Sequence, residues 1–181
     1  MLTLKIDDVQ MYDEKTEKFL TVKGQTLQLE HSLVSISKWE AKYKKPFLSR
    51  TPKNMEETID YIKFMTITQN VNPLLYSAIT VEQVKQINAY IDDPMTATTI
   101  TKQEGKGSGV GRIVTSEELY YQMAAYQIPW EAQKWHFNRL LMLLRVCDEK
   151  NKPKKKMRKG EIARRNRSLN AARRARTGSR G

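Results

Sequence analysis

"FLTVKGQTLQLEHSLVSISKWEAKY", residues 19–43, changes its period partway along, and that change decides the fold. Up to His31 apolar residues alternate with polar ones. Leu20 and Val22 precede Gly24, and Leu27 and Leu29 follow it, the pattern of a strand with one buried face. From Ser32 onward the spacing becomes helical: Leu33, Ile36, Trp39 and Tyr43 recur at three- and four-residue intervals behind a serine suited to cap a helix, and Pro46 stops the run. A strand therefore hands over directly to a helix. Upstream, "LTLKI" (2–6) repeats the period of two with Leu2, Leu4 and Ile6, and the polar "YDEKTEK" (12–18) supplies a turn between the strands. Two strands alone are marginal in water, so the apolar face of this hairpin must pack on helices.

Downstream sequence supplies those helices. "NMEETIDYIKFMTITQN" (54–70) opens with Asn54 and Glu57 at capping-box spacing and carries Met55, Ile59, Ile62 and Met65 as its apolar stripe. "TVEQVKQINAYIDD" (80–93) repeats the device with Thr80 and Gln83, followed by Val84, Ile87 and Ile91. Thr115 with Glu118 makes a third such pair. Pro129 then sits at the first turn of "WEAQKWHFNRLLMLLRVCDEK" (130–150), where a missing amide hydrogen costs nothing. This last helix is apolar around much of its circumference, through Trp130, Trp135, Phe137, Leu140, Leu141, Leu143, Leu144 and Val146. It is either the core helix or a subunit contact. The fold class expected is α+β, mainly α, with an N-terminal β-hairpin packed on about five helices.

Between the third and fourth helices, residues 94–114 break the pattern with glycines at 105, 107, 109 and 111, which read as a mobile hairpin or flap. The stretch does not make a phosphate-binding P-loop, because Lys106 is followed by Gly107 rather than by Ser or Thr. His31, His136 and Cys147 are too scattered for a metal site, and neither a CxxC nor an HxxxH spacing occurs. Cys147 lies in an apolar run and reads as a small buried hydrophobe. His136, beside Trp135, reads as a residue that packs or makes one structural hydrogen bond rather than one that acts as a base. Paired carboxylates such as Glu56 with Glu57 and Asp92 with Asp93 fit a helix start and a helix exit. Nothing assembles a nucleophile, a base and an oxyanion donor, so the expectation is a protein without catalytic residues, cofactor or metal.

Charge divides the chain in two. Of its 32 Lys and Arg, fourteen lie from Lys150 onward, against a single acid there, Glu161, so the net charge of +12 resides in the tail and residues 1–149 are close to neutral. The 181 residues thus suit one globular domain, 1–149, and a basic extension, 150–181. Pro153 interrupts the preceding helix, while "GEIARRNRSLNAARRARTG" (160–178) is rich in Arg and Ala and suits a helix from Glu161 to about Arg176. Lys154, Lys155, Lys156, Arg158, Lys159, Arg164, Arg165, Arg167, Arg173, Arg174 and Arg176 are the candidate polyanion contacts. They suit nucleic-acid phosphates, an acidic protein or a simple role in solubility equally, and no aromatic residue in 150–181 is present to stack bases. The opening segment carries Lys5, Asp7 and Asp8 where a leader would be apolar. The longest apolar cluster, at 140–147, is too short to span a bilayer, so the expected location is a cytosol, without membrane contact.

Several blocks carry a resemblance: "TLQLEHSLVSISKWEAKYKKPFLS" (26–49), "EETIDYIKFMTITQNV" (56–71), "INAYIDDPMTAT" (87–98), "IPWEAQKWHFNRLLMLLRVC" (128–147) and "RNRSLNAARRARTGSRG" (165–181). Together they resemble a protein family of long-tailed, siphovirus-type bacteriophages associated with the tail assembly chaperone, a late-gene product. The resemblance implies a non-enzymatic morphogenesis factor that coats the helix-rich tape measure protein and keeps it from aggregating until tail tube subunits polymerise around it. On that reading Trp130, Trp135, Phe137, Leu140, Leu141 and Leu144 offer a surface for the client or for self-association. The glycine flap at 105–111 would lie over that groove. Two alternatives stand beside it: a virion structural protein of head or tail whose basic extension contacts nucleic acid, and a regulator that binds RNA or DNA.

Overall fold

The computed structural model describes residues 1–13, 17–49, 51–99, 114–152 and 159–178, so the expected glycine flap at 105–111 lies outside the described residues. The chain is α+β and mainly helical, with the hairpin at its N-terminus. The hairpin has four strands rather than two. β1 (Leu2–Ile6) pairs antiparallel with β4 (Gln25–Leu29), and β2 (Val9–Asp13) pairs antiparallel with β3 (Lys18–Val22). The pairs Leu4 with Leu27 and Val9 with Val22 belong to one register, interrupted where Asp7 and Asp8 face Lys23 and Gly24. Strands consequently reach further toward the tip than the expected turn at 12–18 allows.

The interruption also changes which side is buried. Leu4, Ile6, Leu27 and Leu29 are all at most 3% exposed, and Leu2 packs on them, as the alternation predicts. Val22 joins the core although it stands five residues from Leu27, which strict alternation would place on the opposite face. Leu20 does not join it: with Tyr12 and Phe19 it is exposed on the outer half of the hairpin. Gly24 makes the break feasible. Its N–H donates to Asp8 Oδ1 at 2.7 Å, and a Cβ there would stand 2.3 Å from the Ile6 carbonyl oxygen.

Among the described residues, five α-helices and two 3-10 turns follow the hairpin in the first unit, Met1–Asp148. α1 (Leu33–Tyr43) buries Leu33, Ile36 and Trp39 and packs against α2 (Met55–Met65) and α4 (Ser116–Ala125). Its N-terminus is held by a reciprocal cap between Ser32 and Ser35, and it ends at Lys44 in the left-handed conformation, φ 54°. α2 has the expected box: Glu57 N–H donates to Asn54 Oδ1 at 2.7 Å, and Asn54 N–H to Glu57 Oε2 at 3.0 Å. Its buried side is Tyr61, Ile62 and Met65, whereas Met55, expected on the stripe, is exposed. A 3-10 turn, Pro73–Ala78, leads to α3 (Val81–Asp92), where the Thr80 and Gln83 box forms and Ile87 and Tyr90 are buried.

Two expectations fail at the end of this unit. Thr115 makes no side-chain cap for α4. Instead Ser116 N–H donates to Glu40 Oε2 at 2.8 Å, so a carboxylate from α1 satisfies that amide. The single last helix beginning at Trp130 is also absent. A 3-10 turn, Trp130–Lys134, is followed by extended Trp135, and α5 (Phe137–Asn151) begins only afterwards. Long-range bonds account for the break: Phe137 N–H donates to the His31 carbonyl at 2.7 Å, and Ser32 and His136 form an isolated antiparallel bridge. An uninterrupted helix would have to give up both.

The second unit, Glu149–Gly181, contains α6 (Lys159–Thr177), longer at both ends than the 161–176 expected. No residue of α6 is buried. Gly178 closes it at φ 66°, its N–H donating to the Arg174 carbonyl at 2.9 Å, as a left-handed glycine does after a helix.

Candidate functional site

The apolar residues nominated as a docking surface separate into two groups. Phe137, Leu140 and Leu144 are at most 2% exposed and belong to the core, and Leu141 packs against it half-buried. They cannot serve as a surface in this fold. The side of α5 that they occupy is turned to the interior by the bonds that tie its first turn to the strand exit. Trp130 and Trp135 remain outside, 54% and 39% exposed. Trp130 lies 5.9 Å from the Tyr120 ring, and Tyr120 donates to Gln133 Oε1 at 3.1 Å. The Arg139 guanidinium sits 4.6 Å above Trp135. Tyr121, on α4, is also exposed.

Sequence reasoning missed a buried polar network where β4, α1, α2, α3 and α5 meet. His31 Nδ1 lies 2.5 Å from the Tyr61 hydroxyl, which also contacts Ser35 Oγ at 3.3 Å. The His31 ring stands 5.2 Å from that of His136, edge to face. Burial, with His136 adding to it, pulls the His31 pKa down to about 3, so this imidazole is neutral at physiological pH. Burial likewise pushes the Tyr61 phenol above its ordinary value. His136 Nε2–H donates to the Tyr90 carbonyl at 3.0 Å, leaving Nδ1 buried without a hydrogen-bond partner among the described residues. Tyr90 in turn donates to Glu30 Oε1 at 2.6 Å, and Glu30 Oε2 pairs with the Met1 ammonium at 3.2 Å. Both histidines are closed off from solvent, which suits them to fixing the strand exit against the helices. The sequence traces of this network are that His31 abuts a helix cap and that His136 reads as packing or making one structural hydrogen bond, which the bond to the Tyr90 carbonyl supplies.

A second cluster joins α1 to α2. Asp60 accepts from Lys42, from the Tyr43 hydroxyl at 2.8 Å and from Lys63 at 3.0 Å, and the Lys42 bond foremost holds its carboxyl well below the usual carboxylate range. Glu57 accepts from Lys45 at 2.8 Å, while its backbone carbonyl takes the Trp39 indole N–H at 2.9 Å. Cys147 is free and half-buried on α5.

Of the candidate polyanion contacts, Lys154, Lys155, Lys156 and Arg158 lie outside the described residues, and the other seven are on α6. At roughly 100° per residue, Arg167 and Arg174 fall on one side of α6, Arg165 and Arg176 on another, and Arg164 and Arg173 on neither, so the cations ring the helix. Ile162 and Leu169, 43% and 47% exposed, form a short apolar line with Arg165 and Arg173 beside it. Such a helix suits a contact that tolerates many geometries better than one that reads base edges. Compared with known protein families, curated proteins and solved structures, the chain matches none of them.

Proposed function

We propose that the chain is a non-enzymatic morphogenesis protein of a long-tailed bacteriophage, a tail assembly chaperone that holds the tape measure protein in soluble form. The family resemblance supplies the assignment. The observation that carries the mode of action is α6: nineteen residues of helix, seven of them basic, with none buried. A helix whose apolar face is only two residues long is marginal alone in water. Its ordering is complete when a client supplies the missing face, with acidic residues against the arginines and an apolar contact against Ile162 and Leu169. The exposed rings of Trp130 and Trp135 give the globular unit a contact of its own.

Co-expression with the tape measure protein of the same phage tests the reading. The expected result is a soluble complex that co-purifies and weakens as salt rises, because part of the contact is between charges. A tape measure protein that stays insoluble in the presence of this chain would refute it. The ring of cations also favours one alternative, a virion protein touching packaged nucleic acid. Mass spectrometry of purified virions separates the two, since an assembly chaperone is left behind and a structural protein is retained.

A further inference from the structure

Between α2, α3 and the loop after α1 lies a cavity of about 240 Å³. Buried Ile62 and Ile87 line it together with Phe47, Val84 and Ile91, all apolar. Among the described residues the one charged group lining it is Lys53. Its ammonium donates to the Phe47 carbonyl at 2.9 Å and stands 4.1 Å from the Phe47 ring and 5.4 Å from the Trp39 ring. The nearby acid, Glu57, is engaged by Lys45 at 2.8 Å, and no described carboxylate forms an ion pair with Lys53. Burial lowers the pKa of Lys53 from its ordinary value, with Glu57 offsetting part of the effect. An ammonium has three donors, so two are left for an incoming group.

A half-buried cation beside an apolar hollow selects an occupant that is apolar and anionic together, because burying an unpaired charge costs more than pairing it. Size narrows the class. Small-molecule sites typically measure roughly 300–1,000 Å³, and this hollow is smaller, with room for about one large side chain. We propose that the cavity between α2 and α3 is a docking site for an acidic peptide segment, which inserts one large apolar side chain and sets an adjacent carboxylate on Lys53. The site differs from the contacts of α6 and of the exposed tryptophans, and it stands whether or not the partner is a tape measure protein.

The probe is the blocked tripeptide acetyl-Glu-Phe-Ala-amide, titrated into the full-length chain and followed by amide NMR. Saturable shifts confined to residues 47–62 and 84–91 are expected, with at least fivefold weaker binding of the Gln-Phe-Ala analogue. Lys53→Met should erase the difference between the two peptides while leaving the folded spectrum in place. Val84→Phe should fill the hollow and abolish binding. If that variant fails to fold, Asn88→Trp at the exposed edge provides the same block. The absence of saturable shifts at these residues would overturn the proposal, as would equal affinity for the Glu and Gln peptides. Tighter binding of decanoate than of the tripeptide would overturn it in favour of an acyl-chain site.

Discussion

At Gly24 a methyl group has nowhere to go: the carbonyl of Ile6 and the backbone of Asp7 and Asp8 stand within 2.8 Å of where a Cβ would be. Gly24→Ala is therefore expected to cost about 1–3 kcal/mol, read from the denaturant midpoint, as overpacking does elsewhere. An unchanged midpoint would mean that the break in the hairpin relaxes freely. The sequence marks Gly24 as a punctuation of the strand, but the close approach that demands it involves residues sixteen to eighteen positions away. Glu40 is less legible still. Its buried carboxylate accepts the amides of Phe47 at 2.7 Å and Ser116 at 2.8 Å, yet in the sequence it is one polar residue of a helix. His31 gives a test in pH. Its folded pKa, about 3, lies below its ordinary value of 6.5, so acid protonates the unfolded chain first. Stability from this residue is complete above pH 6.5 and falls toward pH 3, with a slope of up to about 1.4 kcal/mol per pH unit. Urea midpoints between pH 7 and 4 should show that slope, and His31→Gln should flatten it. Equal slopes in the two proteins would remove His31 from the account.

α5 shows most clearly what an element's periodicity does and does not reveal. Apolar residues at three- and four-residue intervals correctly place Leu140 and Leu144 on one side, and that side is interior, at most 2% exposed. The pattern cannot tell a core-facing stripe from a partner-facing one, since both exclude water. Nor can it place the break at Trp135 and His136, which depends on hydrogen bonds to His31 and Ser32 about a hundred residues earlier. Capping boxes fare better at Asn54 and Thr80, where both partners are local. The box fails at Thr115, where a distant carboxylate replaces it. Leu140→Ala is expected to cost about 2–5 kcal/mol and Leu140→Asp to abolish cooperative melting. Trp130→Ala, at an exposed ring, should cost less than about 1 kcal/mol while weakening client binding. A stable, folded Leu140→Asp protein would show that α5 is not the core helix.

Across the whole molecule, the division of charge proved the most informative feature of composition. It separates a near-neutral stretch, 1–149, from a basic one, 150–181, without reference to any motif, and the compact units of the structure are Met1–Asp148 and Glu149–Gly181. Helix type and hairpin pairing were legible because both rest on local period. The cavity at Lys53 and the buried histidine network were not, because each assembles from segments that only the fold brings together. Deleting 150–181 should leave the remaining chain folded with little change in melting temperature, since no residue of α6 is buried. In this reading α6 makes the salt-sensitive contact with the client, and the globular unit binds it in its own right through the exposed rings of Trp130 and Trp135. The most direct test is a single co-sedimentation experiment on the tape measure protein using residues 1–149, residues 150–181 and the full-length chain. Residues 1–149 should bind, and the full-length chain should bind more tightly by a margin that disappears at high salt. If 150–181 alone reproduced the full-length binding and 1–149 had none, the account would be contradicted.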